Sequence, residues 1–170
     1  MRGRSRSPGC LAAGHLRHAY LGYGANMCRA EMEFRCPGAV YEGRARLMDH
    51  AFRINACGVA TVLRSRGAEV HGALWRVSDT HLQALDEFEG VDLGLYVRQR
   101  REVQFERGAV EAHIYFATDP RPGTPRPDYL EAILAAARDL GLPSAYIDEL
   151  RQWLAPTRSA GVVASRRRQP

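Results

Sequence analysis

The sequence predicts an α+β fold, and three observations carry that prediction. Short segments rich in β-branched, aromatic and small residues, separated by Gly-containing turns, fill the first two thirds of the 170 residues. Helical periodicity takes over in the last third, and strands and helices do not alternate as a doubly wound parallel sheet would require. The length suits one compact domain.

Taken in order, residues 19–23 are apolar and aromatic and run into Gly24-Ala25-Asn26, which predicts a strand emptying into a tight turn. A positive φ is expected at Gly24, with backbone N–H groups of the turn aimed at a ligand. Segments near 39–47, 51–56, 59–64 and 69–77 read as four further strands. Ser78 is a candidate N-cap, good helix formers follow it, and Gly90 stands where a left-handed C-terminal residue is wanted, so a helix is predicted over 79–89. Residues 97–105 and 110–118 flank Glu106-Arg107-Gly108-Ala109 as a hairpin. The Pro-rich stretch 120–127 is a loop. Asp128 with Glu131 resembles a capping box, and Leu130, Ile133, Leu134 and Ala137 form a helical stripe ended by Gly141 and Pro143. A last short helix is predicted from Ser144 through Trp153.

Charge is distributed unevenly. Eight of the 24 arginines lie in residues 1–17 and 157–170, where no acid falls, while the middle holds 16 arginines against 19 acids. A mildly acidic body with two basic tails is unlike the cationic face of a nucleic-acid-binding domain. Residues 1–17 and 157–170 are therefore expected to be disordered basic tails around a domain spanning 18–156, and nucleic acid is not an expected partner. No lysine occurs, which excludes a P-loop lysine, a Schiff-base lysine and a lysine general base. Cys10, Cys28, Cys36 and Cys57 form no C-x-x-C pair, and six histidines are scattered singly, so neither a metal site nor a disulfide framework is expected. Without a membrane-length apolar run or a signal-like start, the chain reads as a cytoplasmic protein with free thiols and no membrane partner.

One carboxylate does not fit the pattern. On the helix over 79–89, Leu82, Leu85 and Glu89 fall at i, i+3 and i+7, so Glu89 follows an apolar face inward while Asp86 and Glu87 project toward solvent. Burial and the carbonyl end of the helix both raise a carboxyl pKa, as a proton-shuttling general acid/base requires. A glutamate at the edge of the face with its head in water satisfies the same spacing.

Four fragments in sequence order add a resemblance. Tyr20-Leu-Gly-Tyr-Gly-Ala-Asn-Met27, Val70-His-Gly-Ala-Leu-Trp75, Leu85-Asp-Glu-Phe-Glu-Gly-Val91 and Gly94-Leu-Tyr-Val97 resemble the γ-glutamylcyclotransferase family from about residue 18 to 154. Alanine stands at Ala25 where the family's Y-G-S-N loop carries serine. The resemblance implies a mixed, barrel-like sheet with surrounding helices. It also implies a cofactor-free reaction in which the α-amine of a small-molecule γ-glutamyl compound attacks its own γ-carbonyl, giving 5-oxoproline and a free amine. By the same carry-over Glu89 is the general acid/base, Tyr23, Gly24, Ala25, Asn26 and Met27 bind substrate, Tyr96 sits beside the pocket, and Tyr129 contacts the substrate's polar end. Two other classes stay open: a non-catalytic small-molecule-binding module of the same fold, and an RNA-associated factor acting through the tails. Cys28, close after the turn, has no histidine near it in sequence and reads as a buried, inert thiol. The leaving group, whether an amino acid, an amine or part of a biosynthetic intermediate, is not encoded in these motifs. The oligomeric state is left open, a homodimer included.

Overall fold

A computed structural model describes residues 15–154, and the tails expected at the two ends lie outside the described residues except for residues 15–17. Five strands close into a barrel: β1 (His18–Gly22), β2 (Val40–Ile54), β3 (Ala60–Val77), β4 (Tyr96–Phe105) and β5 (Gly108–Ala117). Their order around the barrel is β1-β3-β2-β4-β5, and β5 returns to β1. That last pairing is parallel and the others are antiparallel, so the sheet is mixed and leaves no open edge. Four helices surround it: α1 (Arg29–Arg35), α2 (Asp79–Glu89), α3 (Tyr129–Asp139) and α4 (Ser144–Arg151). Single 3-10 turns occupy Ala25–Met27 and Gln152–Leu154. The α+β, barrel-like expectation is met.

Where the sequence suggests four short strands, two long ones are found. Asp49 adopts φ 56° and its carboxylate accepts the Gly67 N–H at 2.8 Å, while Gly67 itself has φ 78°. The register of β2 on β3 shifts there, between Met48 and His50, and pairing resumes on both sides. Polar and glycine residues at this point mark a bulge inside a continuous hairpin rather than a turn between strands. The true turn lies at Asn55–Val59, where the Asn55 side chain accepts the N–H groups of Cys57 and Val59.

α2 follows its expected range, with one change in its start. The Ser78 hydroxyl accepts the His81 N–H, and the reciprocal partner of this capping box is the His81 ring, which accepts the Ser78 N–H at 3.3 Å. Gly90 ends the helix in the left-handed conformation at φ 66°. The capping box expected at Asp128 and Glu131 does not form: Asp128 has φ 60° and makes no side-chain cap. The chain leaves the Pro-rich loop at that residue in a left-handed turn, which takes the carboxylate away from the first N–H groups of α3. The α3 stripe does hold, with Leu130, Ile133, Leu134 and Ala137 all essentially buried. Each such Leu or Ile is worth roughly 1.5–3 kcal/mol of burial. The final helix stops at Arg151, and the chain tightens to a 3-10 turn over Gln152–Leu154 that contains Trp153.

Candidate active site

β1 delivers the site. A side chain at Gly22 would bring its Cβ within 2.7 Å of the Asn26 carbonyl oxygen, so glycine there lets the chain fold back on itself directly after the strand. The Met27 and Cys28 N–H groups close the 3-10 turn onto the carbonyls of Gly24 and Ala25, each at 3.0 Å. Consequently the Ala25 and Asn26 N–H groups precede the first turn and meet no acceptor among the described residues. The Trp75 indole of β3 donates to the Asn26 carbonyl at 3.0 Å and pins the turn to the barrel.

Next to this turn lies a cavity of about 740 Å³, walled by the end of β1, α1, the turn between β2 and β3, the C-terminal end of α2, the start of β4 and one side of α3 from Tyr129 to Asp139. Tyr20, Tyr23, Gly24, Ala25, Asn26, Glu89, Tyr96 and Tyr129 all line it. Met27, grouped with them on sequence, does not: its side chain is 1% exposed and packs in the core, and its N–H is spent inside the turn. Gly24 has φ −113°, contrary to the positive value expected. Its glycine is instead called for by space, since a Cβ there would sit 3.2 Å from the Tyr129 hydroxyl and 3.3 Å from the Ala60 methyl.

Glu89 reaches the cavity from the last turn of α2, above the buried Leu82 and Leu85. Its carboxylate accepts the Asn26 amide at 3.2 Å. Burial pushes its pKa up to about 7, against the opposing pull of the Arg35 guanidinium and the Asn26 hydrogen bond. Asp86 is not solvated as the sequence suggests. It accepts the Tyr115 hydroxyl at 2.8 Å and pairs with Arg98 at 2.9 Å, because β4 and β5 pass beneath this part of α2.

The tyrosines are tied to backbone. Tyr23 donates to the Tyr115 carbonyl at 2.5 Å and Tyr96 donates to the Ala60 carbonyl at 2.6 Å. The Tyr129 hydroxyl lines the cavity and accepts the Ala60 N–H at 3.1 Å, which leaves its own proton without an acceptor among the described residues. Burial raises the pKa of all three, so they act as neutral hydroxyls.

Sequence reasoning missed Arg35 and Tyr20. Tyr20 accepts the Asn26 amide at 2.6 Å, and Arg35 donates to the Asn26 side-chain oxygen. The available signal for Arg35 was its i, i+4 spacing from Glu31, which it pairs at 2.5 Å. Cys28 is half-buried, packing against the core on one side and lining the cavity on the other, and no histidine joins it in the cavity among the described residues, so no thiol–imidazole pair exists there to activate it. A second, shallower cleft of about 610 Å³ lies beside Arg44, His71 and Gln104, but its charges are engaged with one another through Arg44–Glu106, Arg46–Glu69 and His71–Glu69.

Comparison with known proteins falls into line with this geometry. The chain is 32% identical over 143 residues to a Mus musculus protein named Gamma-glutamylcyclotransferase, covering 78% of this chain and 76% of the relative. This chain belongs to the γ-glutamylcyclotransferase family. The Homo sapiens γ-glutamylcyclotransferase is 31% identical over the same share of both chains. A solved γ-glutamylcyclotransferase structure superposes with a TM-score of 0.76 at 30% identity, covering 87% of this chain and 94% of its own. A model of the AIG2-like family matches residues 69–150, a span that carries Glu89, Tyr96 and Tyr129 but not the β1 turn. No helix among the described residues is long and apolar enough to cross a membrane.

Proposed function

We propose that this γ-glutamylcyclotransferase-family chain converts a small-molecule γ-glutamyl compound to 5-oxoproline and a free amine, with Glu89 as the single general acid/base. The observation that carries this reading is a carboxyl group with a pKa of about 7 at the wall of a cavity lined by neutral hydroxyls and a turn with open N–H groups. A base at that pKa is half ionised at neutral pH, where it both accepts and returns a proton efficiently.

Bound beside the turn, the substrate's α-ammonium gives a proton to the Glu89 carboxylate. The freed amine attacks the γ-carbonyl carbon, closing a five-membered ring. Because both ends belong to one molecule, orientation alone supplies an effective molarity of order 10⁵–10⁸ M. The N–H groups of Ala25 and Asn26 and the Tyr129 hydroxyl are suited to the oxygen that becomes negative, each donor being worth roughly 3–4 kcal/mol. Protonated Glu89 then gives its proton to the departing nitrogen as the original amide C–N bond breaks. The extra proton on the ring nitrogen returns through the same carboxylate, so the amine leaves as ammonium and no proton is consumed overall. No step calls for a cofactor or a metal.

Support for cyclisation comes from the family relation, and support for the role of Glu89 from its burial and position. The test is 5-oxoproline release across a panel of γ-glutamyl amino acids, γ-glutamylamines and glutathione. Turnover of at least one class supports the reading, and binding without release across the panel assigns the cavity to a non-catalytic module.

A further inference from the structure

Arg35 occupies a place that the reaction above leaves unused. It is the last residue of α1, its side chain is only 12% exposed, and it lines the same cavity as Glu89. Its guanidinium makes three contacts at once. One nitrogen donates to the Asn26 side-chain oxygen, a second donates to Glu31 at 2.5 Å, and the plane lies over the Phe88 ring at 3.7 Å. Phe88 directly precedes Glu89 on α2, so the arginine bridges α1, the β1 turn and the catalytic end of α2.

Elementary hydrogen-bond chemistry makes this contact directional. A guanidinium has donors and no acceptor, so the Asn26 atom that faces it must be the amide oxygen. The amide NH2 is then forced to the opposite side. There its two protons meet the Tyr20 hydroxyl at 2.6 Å and the Glu89 carboxylate at 3.2 Å. With Arg35 removed, the amide could turn over and present oxygen to a carboxylate, which is tolerable only while Glu89 holds a proton.

Resting on the assignment of Glu89 as general base, we propose that Arg35 is a positioning residue for it: through Asn26 it fixes which amide face meets the Glu89 carboxylate and holds that carboxylate ready to accept a proton. Of the groups facing Glu89, Tyr20 and Tyr23 from β1 and its exit, Tyr96 from β4 and Tyr129 from α3 are neutral hydroxyls whose pKa burial raises. On α2 itself Asp86 is paired with Arg98 and Glu87 is exposed. Arg126 also lines the cavity, but its guanidinium donates to the Cys57 carbonyl at 2.9 Å, so among the described residues Arg35 is the cation that opposes the upward push of burial on Glu89.

The test compares Arg35→Met, Arg35→Lys and a control on the same helix, Arg29→Met, whose guanidinium lies over Tyr41 away from the cavity. Two readouts are taken: the acidic limb of the kcat/KM profile, and the Glu89 carboxyl titration followed by carbon NMR on the full-length chain. Arg35→Met should move both midpoints upward by at least about half a unit and lower kcat roughly tenfold or more at neutral pH. Arg35→Lys restores the charge without the planar fork, so the midpoint should return toward wild type while kcat stays reduced. Arg29→Met should change neither. If Arg35→Met does not fold, Arg35→Gln is read in its place. A Glu89 midpoint that stays within about 0.2 unit of wild type overturns the proposal, as does a loss of activity with an unshifted limb, which a merely structural role would give. The titration is independent of turnover, so it decides this proposal even if no panel substrate is cyclised, a result that would sink the catalytic reading alone.

Discussion

Replacing Glu89 by glutamine should stabilise the protein at alkaline pH while abolishing its turnover. In the folded chain the carboxyl titrates near 7, against about 4.5 for an unperturbed glutamate. A carboxyl whose pKa is raised by folding binds its proton more tightly in the native state. Its full contribution is therefore present below about pH 4.5 and is lost progressively as pH rises through 7. At 1.36 kcal/mol per unit, the raised pKa corresponds to about 3 kcal/mol of stability given up between pH 4 and pH 8. Glu89→Gln carries no such titration. Relative to wild type it should gain about 3 kcal/mol over that range, a divergence of roughly 6–12 °C in Tm for a chain of this size. The assay is paired thermal or urea unfolding of the two proteins at half-unit intervals of pH, with kcat measured on the same samples. General acid/base catalysis contributes 10² to 10⁴ in rate, so kcat should fall at least a hundredfold while substrate affinity changes by less than roughly tenfold. Parallel Tm curves across the range would show that Glu89 is not held desolvated, and more than about a tenth of wild-type kcat would show that it is not the base.

Other consequences are equally open to measurement. Tyr129→Phe removes both the acceptor of the Ala60 N–H and a hydroxyl that lines the cavity, and should lower kcat/KM by about 1–3 kcal/mol with the fold retained by circular dichroism. Gly24→Val places carbon atoms against the Tyr129 hydroxyl and the Ala60 methyl and should cost at least about 2 kcal/mol in kcat/KM or stability, whereas Ala25→Ser should change kcat/KM by less than roughly fivefold if the turn works through backbone N–H groups. A large gain from Ala25→Ser beside a harmless Gly24→Val would reverse that assignment. The cavity is lined by residues from Tyr20 to Asp139, so removing 1–14 and 155–170 should leave kcat and Tm nearly unchanged, and a loss of activity in the folded remainder would show that a tail reaches the cavity.

Glu89 stood out in the sequence because one charged residue broke an apolar helical face, but that spacing allowed a solvated head equally well, and the family resemblance chose between the two. Gly90 was legible because a left-handed helix end has few other solutions. The long strands were not, since the polar residues around Asp49 and Gly67 signal a turn and a bulge alike, and only the partner strand decides between them. α1 escaped notice for a different reason. It buries only Met32, leaves Phe34 85% exposed, and so offers almost no periodic stripe. With that helix unseen, Arg35 had no place in the site. Met27 shows the opposite error: adjacency in the chain grouped it with the turn, while the 3-10 geometry sends its side chain into the core.

Intramolecular aminolysis and ordinary hydrolysis of a γ-glutamyl bond differ in what supplies the new bond to the γ-carbon, and isotope-labelled water separates them directly. Wild-type protein incubated with its best panel substrate in ¹⁸O-water should release 5-oxoproline carrying no ¹⁸O, in one-to-one ratio with free amine, and Glu89→Gln should release neither. Glutamate bearing one ¹⁸O as the primary product would contradict cyclisation, and undiminished 5-oxoproline from Glu89→Gln would contradict the role given to the carboxylate.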